Sequence, residues 1–252
     1  MQQDVTVSLV SSFLAFVLGW LLRAGTHYYR TRRPAARVWQ LDRGRRLVMV
    51  VGESGGATPG YPKIPEADAL AAMNLRQCLS QDLRLHEVTV VRAKKFAMAA
   101  DAEENLVVIG GPVHNTRWQV MADRLNIPFV FRQFPDGYRI VSEDNGDEYG
   151  ESDVDAATFV DHAIVVLARN PFAPGSRLIM IAGCALLATS GATHLFARGG
   201  VRALAKAYDT RSPLALVVRV ESVGGYVRPP EVVAAATFTQ AVAGRTVPAT
   251  RS

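Results

Sequence analysis

The sequence predicts an α/β protein, a three-layer domain with a mainly parallel sheet and an antiparallel hairpin, carried behind a single N-terminal transmembrane helix. Three observations support this. The stretches Leu47–Gly56, Leu106–Asn115 and Leu178–Gly191 each run from an apolar, β-branched strand into small residues and then toward a helix. That is the grammar of a buried parallel strand feeding a tight turn. Val5–Leu22 is an uncharged apolar run between Asp4 and Arg23. His162–Ala168 and Arg177–Ala182 are apolar runs flanking Asn170-Pro171-Phe172-Ala173-Pro174-Gly175, the pattern of a hairpin.

Composition sets the bounds. With 252 residues, 49% of them hydrophobic, the chain can bury one full core without disulfides. Cys78 and Cys184 stand alone in apolar surroundings, with no CxxC and no cluster of metal-ligand spacing, so neither a metal nor a resident cofactor is expected. The net charge of +5 is concentrated: eight arginines lie between Arg23 and Arg46 against one acid, Asp42. The chain from Leu47 onward is close to neutral, which removes the main electrostatic support for nucleic-acid binding.

The expected organisation is a membrane anchor over residues 1–22, an Arg-rich juxtamembrane linker over 23–46, an α/β domain over 47–222 and a C-terminal tail over 223–252. Val5–Leu22 as a helix spans roughly 27 Å, enough to cross a bilayer core. Trp20 stands at interface depth and the arginines follow, so the positive-inside rule predicts a single-pass protein of the cell membrane with its domain in the cytoplasm. Gly52–Lys63 is a Gly/Pro-rich loop long enough to form a flap. A helix opens at Pro65-Glu66 and continues toward Leu83. His86–Arg92 and Leu106–Ile109 are strands, and Asn115 caps an amphipathic helix ending at Asn126. Phe129–Phe131 and Tyr138–Val141 pair around a Pro-Asp-Gly turn. Ser142–Asp155, with seven acids and two glycines, reads as a solvated excursion, since the register of a calcium loop is absent. Ala185–Tyr208 reads as one long helix broken near Gly199-Gly200, Leu214–Glu221 as a last strand, and the remainder as a partly ordered tail.

Three glycine turns on one sheet place three loops along its carboxyl edge, where backbone N–H groups can receive an anion. The expected ligand-binding residues are Gly52, Glu53, Ser54, Gly110, Gly111, His114, Asn115 and Gly183. Glu66, at a helix start after a loop able to close, is the candidate catalytic carboxylate, with Asp68, Glu53 and His114 as possible second groups. A first-turn acid also complements the helix dipole without any chemistry.

The succession Gly110-Gly111-Pro112-x-x-Asn115, Asn170-Pro171-Phe172 and Ala182-Gly183-Cys184 resembles a bacterial and archaeal domain found behind membrane segments and in some surface-layer proteins. Where such domains carry Gly-Thr after the Ala-Gly-Cys turn, this chain has Thr189-Ser190-Gly191. The resemblance implies a Rossmann-like fold and no particular activity. A more distant likeness to nucleoside deoxyribosyltransferase-like and nucleotide-sensing domains rests on fold and a helix-borne Glu. The function expected is a membrane-anchored module that binds a nucleotide or nucleotide derivative as sensor or effector. The alternatives are hydrolysis of an N-glycosidic bond through Glu66, or a scaffold that docks a protein partner or a second copy of the chain.

Overall fold

The computed structural model describes residues 2–54, 63–155, 157–242 and 245–246, with the side chains of 2–11 and 241–246 left aside. Most of the flap expected over Gly52–Lys63 therefore lies outside the described residues. The chain opens with α1 (Gln2–His27), a π turn (Tyr28–Arg32) and α2 (Arg33–Trp39). Among the described residues no helix is long and apolar enough to cross a membrane. The expected span falls within α1, but Val5–Ser11 lies outside the described side chains. What is shown is a long helix on which Phe13, Leu14, Phe16, Leu18, Trp20, Leu21 and Leu22 are all exposed.

The Arg-rich segment is helical where a spacer without regular structure was expected. Pro34 sits at the start of α2, where its missing N–H does no harm. Ala35, Val38 and Trp39 are buried, and the Trp39 ring lies 5.0 Å from that of Phe196. The arginines occupy the other face, so the short apolar triplet sets the helix and not the overall composition.

The sheet begins with β1 (Leu47–Val51), which leads through α3 (Glu66–Cys78) and a π turn (Leu79–Leu83) to β2 (Val88–Arg92). A short helix, α4 (Met98–Asp101), precedes β3 (Asn105–Ile109), and α5 (Thr116–Leu125) follows it. A small antiparallel sheet comprises β4 (Phe129–Phe134), β5 (Gly137–Ser142) and β6 (Glu148–Tyr149). Then come β7 (Ser152–Asp153), β8 (Thr158–Asn170) and β9 (Ala173–Gly183). The chain continues through α6 (Leu186–Gly191), a 3-10 turn (Ala192–Phe196) and α7 (Arg198–Ala207). It ends in β10 (Leu214–Val223), β11 (Tyr226–Val227), β12 (Glu231–Thr237) and an antiparallel pair, β13 (Ala241–Val242) and β14 (Arg245–Thr246).

The main sheet runs β11-β10-β8-β9-β3-β1-β2, with β12 also on β10 and β7 on β8. β2, β1, β3 and β9 are parallel neighbours, and β9-β8-β10-β12 are antiparallel. The hairpin is thus built into the sheet, its β9 serving as the fourth parallel strand. Leu47, Met49 and Val51 face a core with Leu75, Leu79, Trp39 and Phe196. Val48 and Val50 face the opposite core, with Trp118, Met121, Leu125 and Ile140. Burial of alternate residues on two faces gives the three layers.

Three further expectations differ from the structure. The acidic segment Ser142–Asp155 contains two short strands, β6 and β7, among its turns. The region after Gly183 is not one long helix but α6, a 3-10 turn and α7, and its break at Ala197, in extended conformation, lies close to the expected interruption near Gly199-Gly200, which stand in the first turn of α7. A Cβ on Gly200 would strike the carbonyls of His194 and Leu195, so that glycine permits a close approach of two turns. Part of the segment read as tail, Glu231–Thr237, pairs along β10, its alternation of exposed and half-buried residues being that of an edge strand.

Candidate functional site

In the parallel half, β1 has β2 on one side and β3 on the other, so the chain reverses its direction of winding between β1 and β3. Connections leave the two strands toward opposite layers there, opening a crevice at their carboxyl ends. A cleft of about 220 Å³ occupies this edge. Gly110, Gly111 and His114 after β3, Gly183 at the end of β9 and Cys184 after it, and Asp68 from α3 form its floor and walls. Phe131 and Tyr138, from the β4–β5 hairpin, supply an aromatic side.

Asp68 is the centre of the arrangement. It is 4% exposed, and its Oδ2 accepts the Gly52 N–H at 3.0 Å. A Cβ on either Gly52 or Gly110 would collide with that carboxylate, and Gly110 has φ of +91°. The glycines thus leave room for an acid and hold the backbone turn. Burial pushes the Asp68 carboxyl above its ordinary range, opposed by the Gly52 N–H and the charge of His114. Position along α3 explains its place: Asp68 lies on the stripe of Ala71, Ala72 and Leu75, which packs on the sheet. Glu66 lies off that stripe, is exposed and does not line the cleft. The catalytic role expected for Glu66 is therefore corrected, because its helix phase turns it away from the sheet edge.

The other expected residues divide by what they touch. Gly110, Gly111, His114 and Gly183 line the cleft. Gly52 acts through its N–H on Asp68 and is not part of the lining. Glu53 turns to the end of β2, where Arg92 at 3.2 Å and Lys94 at 3.5 Å pair with it. Ser54 bridges Lys63 across the base of the loop, its N–H donating to the Lys63 carbonyl at 2.9 Å. Asn115 is fully buried: its Nδ2 donates to the carbonyls of Val50 and Ile109, and its Oδ1 caps α5 by accepting the Arg117 N–H. It ties β1 to β3 at the crevice, a structural task for a residue expected to hold ligand.

Most of the amides expected to receive phosphate are already engaged. Gly110 N–H donates to Ile181 O, Gly183 N–H to Thr189 Oγ1, and Asn115 N–H to Gly111 O. A second buried acid, Asp161 on β8, closes the start of α6. Its Oδ1 accepts the N–H groups of His162 and Ala185, and its Oδ2 accepts that of Ala188 at 2.7 Å. Burial raises its carboxyl to about 6 against those three bonds. Two carboxylates thus stand where an anion would, and no Lys or Arg lines the cleft among the described residues. The sequence signal for Asp161 is a lone acid within the apolar strand VDHAIVV, and local pattern does not reveal its role because two of its three partners, the Ala185 and Ala188 N–H groups, lie far along the chain.

Cys184 donates to the Tyr149 carbonyl at 3.4 Å, and burial, with Asp161 beside it, pushes its thiol up to about 12. It stays protonated at neutral pH and offers no thiolate nucleophile. No group of three or more His, Cys, Asp or Glu among the described residues could hold a metal ion. Among the described residues the cleft presents one buried carboxyl, the His114 side chain and two aromatic rings.

No family model, no curated protein and no solved structure matches this chain.

Proposed function

We propose that the chain is a membrane-attached binding module whose cleft takes the nucleoside part of a nucleotide derivative, with any phosphate left outside. The observation that carries this reading is Asp68, buried at the topological switch point and lining a cleft that no Lys or Arg borders among the described residues. A carboxylate in that position accepts hydrogen bonds from ribose hydroxyls or base N–H groups, and the Phe131 and Tyr138 rings offer faces for a base. The cleft volume of about 220 Å³ lies below the roughly 300 Å³ at which drug-sized sites begin, which suits a base or nucleoside and not a dinucleotide. The phosphate-first mode expected of glycine loops has little support, since the Gly52, Gly110 and Gly183 amides are occupied and no Lys or Arg lines the cleft among the described residues. Membrane attachment through α1, with the domain on the cytoplasmic side, is supported by its exposed apolar side chains and by the arginines that follow.

The test is thermal unfolding of the full chain with a panel of nucleosides and their 5′-monophosphates. A ligand at about 100 times its Kd adds about 2.7 kcal/mol of stability. At least one nucleoside is expected to stabilise the wild type and to bind at least about tenfold more weakly to Asp68→Asn, the order of one hydrogen bond to a charged group. The Asn variant retains an oxygen for the Gly52 N–H, so folding is preserved. Stabilisation by monophosphates but by no nucleoside would overturn the proposed mode, and no shift with either class would overturn the reading altogether.

A further inference from the structure

The charge segregated at the start of the chain is gathered in space as well. Arg23, His27 and Arg30 recur at three- and four-residue spacing and so share a face of α1 and the turn after it. Arg198 and Arg202 stand one turn apart on α7. The two sets border one groove of about 610 Å³. Among the described residues Arg23, Arg30 and Arg202 pair with no carboxylate. The acid at hand is Asp82, 3% exposed, 3.9 Å from Arg198 and with its carboxyl raised by burial. Four guanidinium groups around one groove repel one another, and a phosphate among them turns that repulsion into charge-assisted bonds. The start of α7, which carries no side-chain cap, adds to the positive potential.

The position of the groove identifies the source of the phosphate. Leu22 ends the uncharged run and Arg23 begins the groove. Along a helix, residues 23–30 cover about 10 Å, which takes in the roughly 5–7 Å headgroup layer next to a bilayer core. We propose that this groove binds the phosphate headgroup of an anionic phospholipid and so docks α7, and with it the cleft-bearing domain, on the membrane face. The inference rests on the membrane attachment of α1 proposed above.

The full chain is reconstituted with vesicles of phosphatidylcholine alone and with vesicles that also contain phosphatidylglycerol. Flotation reports attachment, and the Tm of the domain reports headgroup binding. Wild type is expected to float with both and to melt about 3 °C higher with phosphatidylglycerol. Arg30→Gln/Arg202→Gln should float equally and lose the increment, whereas Lys95→Gln/Arg132→Gln, removing the same charge elsewhere, should keep it. Equal increments in both double variants, or none in wild type, overturn the groove while leaving attachment standing. Soluble glycerol phosphate raising the Tm equally in phosphatidylcholine vesicles overturns the lipid as source. Failure to float with phosphatidylcholine overturns the attachment itself and the docking with it.

Discussion

Asp68 and the two glycines around it show how a single buried group organises the cleft. Because Gly110 combines φ of +91° with a Cβ position inside the Asp68 carboxylate, Gly110→Ala suffers both backbone strain and a collision. It should lose at least about 2 kcal/mol in urea unfolding, the order of a non-glycine residue held at positive φ plus a displaced buried acid. Asp161 gives a pH signature. Its folded-state value of about 6 lies above the ordinary 3.8, so the folded state binds the proton more tightly. The stabilisation from this group is complete below about pH 4 and is lost as pH rises through about 6, by up to about 3 kcal/mol. Asp161→Asn cannot accept three N–H groups with one oxygen and should be less stable at pH 4 by about 1–3 kcal/mol. Unfolding measured from pH 4 to pH 7 should then show the deficit shrinking by up to about 3 kcal/mol, because the variant carries no charge to desolvate.

Elements of this fold are joined at the sheet edges by asparagines. Asn170, at the turn between β8 and β9, is fully buried and donates to the carbonyls of Ala102 and Glu104, both at 2.7 Å. Its Oδ1 accepts the Phe172 N–H at 3.0 Å. The side chain thereby docks the hairpin turn on the segment between α4 and β3. Asn170→Ala leaves two buried carbonyls without a donor and should cost about 2–4 kcal/mol, read from the urea midpoint. Asn115 does the corresponding work at the opposite edge, between β1 and β3. The motifs containing both residues therefore mark how strands are held in register, while the residues that line the cleft stand beside Asn115 and not beside Asn170.

For the whole molecule, the two cores begin at Ala35 among the described residues, and the described apolar side chains of α1, from Phe13 to Leu22, lie outside them. Removal of residues 2–22 should leave the Tm within about 2 °C of wild type and abolish flotation with phosphatidylcholine vesicles, separating the attachment of the chain from the stability of its domain. Extending the deletion through Trp39 should lower the Tm sharply. It removes a ring packed against Phe196 and strips Arg177, which is 1% exposed, of its bond to the Val38 carbonyl. Arg177 retains only the Thr210 carbonyl for that nitrogen, and its guanidinium is already held down to about 9 by burial.

By itself the sequence determined the strands β1 and β3, the helices α3 and α5 with the cap at Asn115, the β8–β9 hairpin and the glycine turns at the carboxyl edge. Each of these is written in local periodicity or in a residue with one conformational use. Tertiary structure decided which groups meet. The phase of α3 on the sheet put Asp68 in the cleft and Glu66 in solvent, two positions apart in a segment whose composition favours neither. The cross-strand register brought Asp161 to the start of α6 and denied the amides there to an anion. The packing of Trp39 turned an arginine-rich stretch into a helix, and the contact of that stretch with α7 gathered its charges with two more. Hydrogen-bond partners tens of residues away leave no mark on local pattern, so the loops could be read from the sequence and the chemistry they present could not.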